Sequence, residues 1–583
     1  MLSLGLWLPL MAPGCFLIRP CTTTECVDTG GGTESGHTGE TGETGERWYG
    51  APVTVSERGV LTCEDPDARA TGGPMHLYDP GTDWDDQAVP PDNPGSFSKG
   101  RGVAIEDFNL DGLWDLFIPN LGADQLFFGA AGATVDDVTD THWHTGTETT
   151  TATVAVDYDD DGDMDITSIN RGSANALWQN DGTGKFTEVP RSVTGWDQAR
   201  NGSTGGAWGD INGDGHLDLF IYAHFVAPTP EWDENNPGPA DPSELYLSNG
   251  DGTFEDISDM FSEEIHGAYT YAGGLHDLDL DGDLDIVFVN DLGSLRIGNK
   301  VLRNDTVDGV VAFTEISNEV GLAAQIFGMG LGVGEINGDG IPDLLTTGWD
   351  ELLLFESVRD GTWFDSAASK GILWEYEKRD IAWAAEFADM DNDGLEDLHV
   401  NFGMIKEEQA GLGSSEDQPD ALFQQDSDGN FHQVAEAWEL AQDGQSRGLS
   451  VADLNHDGFL DVVKRALDGD ATMYMSQCDD SSFVILRLHQ PAPNIDAVGA
   501  RIELTIGETT QTRWIRAGGT SYASSHPVNA HFGLGDADTV DRILVTWPNG
   551  DQSAVYDLTA RQTIDITRAG DDSASTGDSA AAE

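Results

Sequence analysis

The residues whose types and spacing could do chemistry in this sequence are the carboxylates of an acidic nonapeptide, DLDLDGDLD, at residues 277–285. Its pattern occurs seven times in register. We number the copies loops I to VII in chain order; they are residues 107–115, 157–165, 210–218, 277–285, 335–343, 389–397 and 453–461. A single copy would be an ordinary solvated turn, whereas seven in register indicate a repeated binding site.

The chemistry that this pattern predicts is calcium binding. Calcium takes six to eight oxygen ligands at about 2.3–2.6 Å, which a tight acidic loop can supply. We expect ligands from the side chains at positions 1, 3, 5 and 9 and from the backbone carbonyl at position 7, while glycine at position 6 permits the sharp turn. In loops I to IV the predicted ligand residues are Asp107, Asn109, Asp111, Leu113, Asp115, Asp157, Asp159, Asp161, Asp163, Asp165, Asp210, Asn212, Asp214, His216, Asp218, Asp277, Asp279, Asp281, Asp283 and Asp285. In loops V to VII they are Glu335, Asn337, Asp339, Ile341, Asp343, Asp389, Asp391, Asp393, Leu395, Asp397, Asp453, Asn455, Asp457, Phe459 and Asp461.

The predicted sites are unequal in charge. Loops II, IV and VI have aspartate at position 3, whereas loops I, III, V and VII have asparagine there, and loop V begins with glutamate instead of aspartate. We expect the loops with asparagine to bind calcium more weakly. The full set corresponds to up to about seven calcium ions.

The elements that must position the loops are short β-strands. A run such as VAIEDF precedes a loop, a run such as DLFIPN follows it, and two more strands complete a repeat, as in LYLSNGDGTFEDI. The loops recur at spacings of 50–67 residues, a period typical of propellers and solenoids. Because the alternative β-helix has much shorter repeats, the sequence predicts an all-β fold, a seven-bladed β-propeller with calcium loops.

The long connections between the repeats are predicted on the face opposite the loops. In a four-stranded blade the loop joins the first strand to the second, so the connection from the second strand to the third lies on the other face. Residues 224–244, which include Trp232, and residues from 403 onward are long connections of this kind. Long loops on a rigid scaffold often carry recognition, and an insertion without function is the alternative for either one. We expect an unknown protein or glycan ligand on this face.

The charge of the chain limits its partners. With 28 basic and 104 acidic residues, the formal net charge is −76. This excess of negative charge argues against nucleic acid or an anionic membrane surface as a partner.

The N-terminus predicts export. The first eighteen residues are apolar and about as long as the hydrophobic region of a signal peptide. Residues 12–15 also resemble a lipoprotein cleavage box, which would place a lipid anchor on Cys15, although no basic residue precedes the apolar run. We expect an extracellular or cell-surface location, with an outer-membrane lipoprotein as one form of it. In that location we predict two disulfide bonds, one between Cys63 and Cys478 and one between Cys21 and Cys26.

Composition divides the chain into six segments. They are a signal at residues 1–20, a disordered Gly/Thr/Glu linker at 21–49, an N-terminal segment at 50–99 with a strand that closes the propeller, the repeats at 100–480, a separate small β-sandwich-like domain at 481–568, and a disordered tail at 569–583.

Two regions resemble known families. The seven repeats resemble the FG-GAP/VCBS family, and the stretches NIDAVGARIELTIG, AGGTSYASS and HFGLGDADTVDRILVTWPNG resemble the ASPIC/UnbV domain. Together, over roughly residues 100–568, they resemble the family of cartilage acidic protein and its bacterial relatives. This resemblance implies an extracellular calcium-binding protein with a role in adhesion or scaffolding.

The alternative function is that of a calcium-dependent polysaccharide-processing enzyme on a propeller. The sequence has no GxSxG, HExxH or P-loop motif. His142 and His144 near Asp140 would suit a transition metal, and exposed histidines in a connection between blades are the interpretation we favour. We therefore predict that the chain is not an enzyme and assign no catalytic residue.

Overall fold

The structure is a computed structural model that describes residues 49–57, 75–78, 80, 102–120, 122–143, 149–196, 198–200, 202–224, 238–372, 380–403, 418–441, 444–466 and 471–570. The predicted signal with Cys15, most of the linker, Trp232 and residues 571–583 lie outside these ranges. Within them, no helix has the length and apolar character needed to cross a membrane.

Short antiparallel strands make up most of the described chain. Three precede the repeats: β1 (Tyr49–Gly50), β2 (Val53–Glu57) and β3 (Met75–Tyr78). The strands around loops I to III are β4 (Ala104–Glu106), β5 (Asp115–Ile118), β6 (Gln125–Ala130), β7 (Thr134–Asp137), β8 (Thr150–Val156), β9 (Asp165–Asn170), β10 (Ser173–Ala174), β11 (Ala176–Gln179), β12 (Thr187–Glu188), β13 (Ala199–Arg200), β14 (Ser203–Gly209), β15 (Asp218–Ala223), β16 (Glu244–Ser248) and β17 (Phe254–Asp256).

The remaining repeats have the same order of strands. Around loops IV to VII these are β18 (Tyr269–His276), β19 (Asp285–Asp291), β20 (Lys300–Asn304), β21 (Phe313–Glu315), β22 (Gly328–Gly334), β23 (Asp343–Gly348), β24 (Leu352–Val358), β25 (Thr362–Asp365), β26 (Ala382–Ala388), β27 (Asp397–Phe402), β28 (Ala421–Gln425), β29 (Phe431–Gln433), β30 (Ser446–Ala452), β31 (Asp461–Ala466) and β32 (Thr472–Ser476). One-turn helices lie between blades: α1 (Thr139–His142), α2 (Arg191–Thr194), α3 (Glu263–His266) and α4 (Ser317–Val320), with a 3-10 turn at Ser258–Met260.

The sheets are blades arranged in a ring. Each loop joins the first, innermost strand of its blade to the second, and the third and fourth strands follow outward. The innermost strands β4, β8, β14, β18, β22, β26 and β30 contact one another in that order, and β30 contacts β4. The structure is therefore a closed seven-bladed propeller, which confirms the predicted all-β architecture.

Glycine allows the innermost strands to approach one another closely. In β22, a methyl group at Gly330 would lie 1.9 Å from the carbonyl oxygen of Trp383 in the next blade, and one at Gly332 would lie 3.3 Å from the Cβ of Ala385. Larger side chains at these positions would push the blades apart, so the small residues of this strand are a packing requirement.

The N-terminal segment is shared between two parts of the fold. Strand β3 pairs with β32 and is the fourth, outermost strand of blade VII, with Leu77 opposite Tyr474. Strands β1 and β2 instead pair with strands of the C-terminal domain. Cys478, two residues beyond β32, is disulfide-bonded. The other four cysteines lie outside the described residues, so its pairing with Cys63 stays a prediction.

The C-terminal domain consists of two sheets packed face to face. Its strands are β33 (Ser482–His489), β34 (Arg501–Ile506), β35 (Thr509–Trp514), β36 (Ala517–Gly518), β37 (Ala530–Gly535), β38 (Thr539–Thr546), β39 (Gln552–Thr559) and β40 (Gln562–Arg568). The sheet orders are β1-β39-β38-β34-β35 and β2-β40-β33-β37. Alternate residues such as Ile543, Val545 and Trp547 are buried between the sheets, as expected for strands with one buried face.

A segment of this domain fills the axis of the propeller. Residues 517–528, which we call the plug, contact the innermost strand of every blade. The contacts with blades I to IV include Val103 N to Ser524 Oγ (3.2 Å), Thr153 N to Ala523 O (3.3 Å), the pairing of Ala207 with Gly518, and His276 Nε2 to Gly519 O (3.1 Å). Those with blades V to VII include Leu331 N to Ser521 O (3.3 Å), the rings of Trp383 and Tyr522 (5.2 Å between centroids), and Ser521 Oγ to Leu449 O (3.1 Å).

The C-terminal domain packs against the propeller and does not stand apart from it. The described residues of the propeller and of the sandwich belong to one compact unit. The physical reason is the plug, whose backbone polar groups and Tyr522 ring are buried among the blades, so that the sandwich and the propeller share one hydrophobic core.

Replacing Tyr522 with alanine should destabilise the whole unit. The side chain is 1 % exposed and packs against Tyr271 and Trp383, and truncating a buried aromatic residue to alanine typically costs about 3–5 kcal/mol. We expect chemical denaturation of Tyr522→Ala to show this loss, with propeller and sandwich unfolding in one transition. Leu295→Ala, at a side chain that is 46 % exposed, is the control. An unchanged midpoint for Tyr522→Ala would show that the plug does not hold the two parts together.

Candidate metal centres

Each acidic loop is closed by its first carboxylate. In loop I, Asp107 Oδ1 accepts the backbone N–H of Asp111 (3.0 Å) and Oδ2 accepts that of Gly112 (2.9 Å). In loop VII, the carboxylate of Asp453 accepts the same two bonds, at 2.9 and 2.8 Å. The glycine at position 6 has a φ between +81° and +100° in all seven loops, a left-handed conformation that favours glycine.

Position 5 fixes the direction of the chain beyond the glycine. In every loop a side-chain oxygen of this aspartate accepts the N–H of the residue at position 7, at 2.9–3.3 Å. These bonds hold the residues whose carbonyl groups are the predicted backbone ligands, namely Leu113, Asp163, His216, Asp283, Ile341, Leu395 and Phe459.

The carboxylate at position 9 has a structural role that the sequence analysis did not assign. This aspartate is at most 1 % exposed in all seven loops. Its Oδ2 accepts an N–H from position 2 or 3 of its loop, as from Leu278 to Asp285 (3.2 Å). Its Oδ1 accepts an N–H at the end of the third strand, as from Asn304 to Asp285 (2.8 Å). The same pair of bonds recurs in the other six loops, at 2.6–3.3 Å.

Side-chain amides at the ends of three of the third strands connect neighbouring blades. Asn180, Asn304 and Gln425 stand at the ends of the third strands of blades II, IV and VI. Each donates from its amide nitrogen, at 2.8 Å, to the position-2 carbonyl oxygen of the preceding loop, on Phe108, Ile211 and Ile336 respectively. Loops I and II, III and IV, and V and VI are thereby joined in pairs.

The structure brings carboxylates together in the loops with aspartate at position 3. In three groups, each residue has an oxygen within 4.8 Å of an oxygen of the others: Asp157, Asp159 and Asp165; Asp277, Asp279 and Asp281; and Asp389, Asp391 and Asp393. In loops II and VI a glutamine orients the carboxylate at position 3, because Gln179 donates to Asp159 and Gln424 donates to Asp391, each at 2.5 Å.

In loops III, V and VII, the amide of the position-3 asparagine donates a hydrogen bond to a carboxylate of the same loop. Asn212 Nδ2 donates to Asp214 Oδ2 (3.0 Å) in loop III, and Asn455 Nδ2 donates to Asp457 Oδ2 (3.0 Å) in loop VII. In loop V, Asn337 Nδ2 lies 3.3 Å from Asp343 Oδ1. These three loops thus have one carboxylate fewer than loops II, IV and VI and an internal partner for one of those that remain.

The electrostatics of the clustered carboxylates fit a divalent cation. Burial, followed by the charge of neighbouring aspartates, raises the pKa of Asp277 to about 7, and burial raises the pKa of Asp157 to about 7. Three buried carboxylate oxygens, on Asp159, Asp163 and Asp277, have no hydrogen-bond partner. A cation beside these oxygens would both satisfy them and favour the charged form of the carboxylates. The acidic clusters could therefore hold metal ions.

A second set of polar residues, at the opposite end of the strands, was missed by the sequence analysis. Asp124, Asn175, Asn299 and Asp420 precede or begin the third strand of their blades, and each accepts a backbone N–H from the end of the second strand, at 2.8–2.9 Å. The signal for them was an Asn or Asp that recurs immediately before the apolar third strand. His142 lies at the end of α1, with its ring centroid 4.9 Å from that of Phe128, and His144 lies outside the described residues.

The position-9 carboxylate should stabilise the fold independently of any cation. Asp285→Ala would leave the N–H groups of Leu278 and Asn304 buried without an acceptor, and each such loss costs about 1–3 kcal/mol. We expect Asp285→Ala to lower the free energy of unfolding by roughly 2–4 kcal/mol in a chelating buffer. Asp281→Asn in the same loop keeps an oxygen for its N–H partner and is the matched control. Equal stability of the two variants would contradict a structural role of position 9.

Comparison with known proteins agrees with this geometry. The model of the FG-GAP-like repeat matches residues 157–221, 335–400 and 412–463, and the model of the ASPIC and UnbV domain matches residues 490–573. No curated protein matches the sequence.

Solved structures provide further matches. A lectin from Agrocybe aegerita, described as recognising non-reducing terminal N-acetylglucosamine, is 16% identical, with 64% of this chain and 87% of that chain covered and a TM-score of 0.37. BBS1N in complex with ARL6DN matches at 10% identity in a lead-soaked form, with 70% and 98% of the two chains covered and a TM-score of 0.40. The mercury-soaked form has the same identity and coverage and a TM-score of 0.39. The family matches confirm the resemblance found in the sequence: the chain contains FG-GAP-like repeats and a C-terminal ASPIC/UnbV domain.

Proposed function

We propose that this chain is an exported calcium-binding propeller protein that acts as an adhesion or binding scaffold at the cell surface or outside the cell. The observation that carries the proposal is the convergence of three carboxylates in each of loops II, IV and VI. We propose calcium because all the converging ligands are hard oxygen donors. The irregular loops suit its flexible coordination better than the octahedral geometry that magnesium requires.

The number of ions follows from the repetition of the loops. All seven have the closing bonds of position 1 and the buried carboxylate of position 9. We propose up to about seven calcium ions. Loops II, IV and VI would bind most tightly, since they have an additional carboxylate.

The role that we propose is binding rather than catalysis. We infer the binding surface from the parts of the propeller that the sandwich and the plug do not cover. The sandwich packs against several of the acidic loops, and the plug fills the axis of the propeller. The opposite face carries the connections from the second to the third strands. A protein or glycan partner on that face is therefore our proposal, with no role for nucleic acid.

Export is supported by two independent features. The N-terminal apolar run has the length of a signal peptide, and Cys478 is disulfide-bonded, as is usual in oxidising compartments. Lipidation at Cys15 would anchor the chain to a membrane surface.

Calorimetric titration of the full-length protein with calcium tests the metal sites. We expect about seven equivalents to bind and the melting temperature to rise, because a ligand that binds only the folded state stabilises it by mass action. Asp277→Asn, at the first position of loop IV, should remove about one equivalent, whereas Glu319→Gln, an exposed acidic residue outside the loops, should remove none. Binding of one or two equivalents with no change in melting temperature would contradict the proposal.

Adhesion of beads coated with the full-length protein tests the scaffold role. We expect retention on protein- or glycan-coated surfaces in calcium and its loss in chelator, because the blades stiffen when the loops are filled. Trp232→Ala should weaken retention and Glu319→Gln should not. Retention that does not depend on calcium would contradict the role, and cleavage of the glycan would favour the alternative of a polysaccharide-processing enzyme.

A further inference from the structure

The C-terminal domain covers the seven acidic loops unevenly. Around the position-6 glycines of loops I, II and IV, an added methyl group would meet no atom within 4 Å, whereas at Gly215 in loop III it would lie 2.8 Å from Pro493 of the C-terminal domain. At Gly394 in loop VI it would lie 3.2 Å from Gln511 Nε2, and at Gly458 in loop VII it would lie 1.8 Å from the ring of Phe483. Both Gln511 and Phe483 belong to the C-terminal domain.

The cover over loop VI reaches the first predicted ligand. A methyl group on Gly533 would lie 2.0 Å from Asp389 Oδ2, so the backbone of β37 rests directly on this carboxylate. The N–H of Gly535 donates to Asn392 O in the same loop (2.7 Å), and Gln511 Nε2 donates to Gly533 O (2.8 Å). Asp389 is consequently only 1 % exposed, whereas Asp277, the equivalent residue of loop IV, is partly exposed.

Charged and polar contacts extend the cover to the neighbouring loops. Arg513 Nε of the C-terminal domain lies 3.1 Å from Glu396 Oε1 at position 8 of loop VI. Glu396 Oε2 in turn accepts the N–H of Glu335, the first residue of loop V (2.6 Å). At loop VII, His531 Nε2 lies 3.0 Å from the carbonyl oxygen of Gly458 and donates to it.

We propose that the C-terminal domain is a lid over loops VI and VII, so that a calcium ion enters or leaves these loops only when strand β37 lifts from the propeller. The inference rests on the proposed calcium binding. It adds that the sites fall into two classes that differ in their rate of calcium exchange. Loop IV, which the lid leaves open, exchanges calcium directly with solvent. By thermodynamic linkage, an ion that requires the closed lid also stabilises it.

Loops IV and VI form a matched pair for testing this idea. Both have aspartate at positions 1, 3, 5 and 9, and in both the carboxylates of positions 1, 3 and 5 converge. Because the four side-chain ligands are the same, the comparison removes the difference between aspartate and asparagine loops. The loops still differ at Asp283 and Leu395 of position 7, so the effect of Gln511→Ala on the release rate reports the cover itself.

The experiment is rapid mixing of the calcium-loaded full-length protein with a fluorescent chelator. We expect fast and slow phases of release, with Asp277→Asn removing amplitude from the fast phase and Asp389→Asn from the slow one. Gly533→Ala, which adds a methyl group against Asp389, should accelerate the slow phase by about tenfold or more. Gln511→Ala should accelerate it roughly fivefold, as expected for the loss of one hydrogen bond. Neither lid variant should change the fast phase.

The outcomes separate this proposal from the one on which it rests. If Gln511→Ala and Gly533→Ala leave every release rate unchanged, or if Asp389→Asn removes fast amplitude, the lid is overturned while calcium binding stands. If the wild-type protein takes up no calcium when it is loaded, calcium binding itself is overturned. Should Gly533→Ala not fold, as judged by circular dichroism, Gln511→Ala decides the question, since it creates no clash.

Discussion

The propeller depends on one repeated interaction, the buried aspartate at the end of each acidic loop. A carboxylate away from water is costly unless its oxygens are hydrogen-bonded, and here both oxygens bind backbone N–H groups. In Asp285 these groups belong to Leu278 and Asn304, which lie in the loop and at the end of the third strand. One side chain therefore fixes the loop, the second strand that it begins and the third strand in a single arrangement.

The same interaction extends from one blade to the next. Asn304, which donates its N–H to Asp285, also donates from its side chain to Ile211 O in the preceding loop. Loops that bind a cation would thus be connected through short hydrogen-bonded paths, in the pairs I–II, III–IV and V–VI. The second loop of every pair is also the one with aspartate at position 3, so the extra negative charge lies where the connection to the neighbouring blade is made.

Much of this could be predicted from the sequence, because it is local and repeated. A nonapeptide that recurs seven times specifies its own turn, and the apolar runs on either side specify the strands. The placement of the C-terminal domain could not be predicted in this way. The plug stretch, AGGTSYASS, is short, rich in small residues and without periodicity, and its partners in the blades lie 72 to more than 400 positions away. For example, Val103 bonds to Ser524, a separation of 421 positions. Nothing in a local pattern indicates such a partner.

The plug explains why a propeller of this composition needs a second domain in the same chain. Innermost strands such as GMGLGVG in blade V allow the blades to approach closely, but they leave few side chains to fill the axis. An unfilled axis would forfeit packing contacts and leave polar backbone groups of seven strands without partners. The plug supplies hydrogen bonds to these strands and places Tyr522 between Tyr271 and Trp383. With the plug in the axis, the sandwich must lie on the face of the propeller that carries the acidic loops, because the chain at both ends of the plug emerges on that face. The cover over loops VI and VII is thus a geometric consequence of how the ring is stabilised.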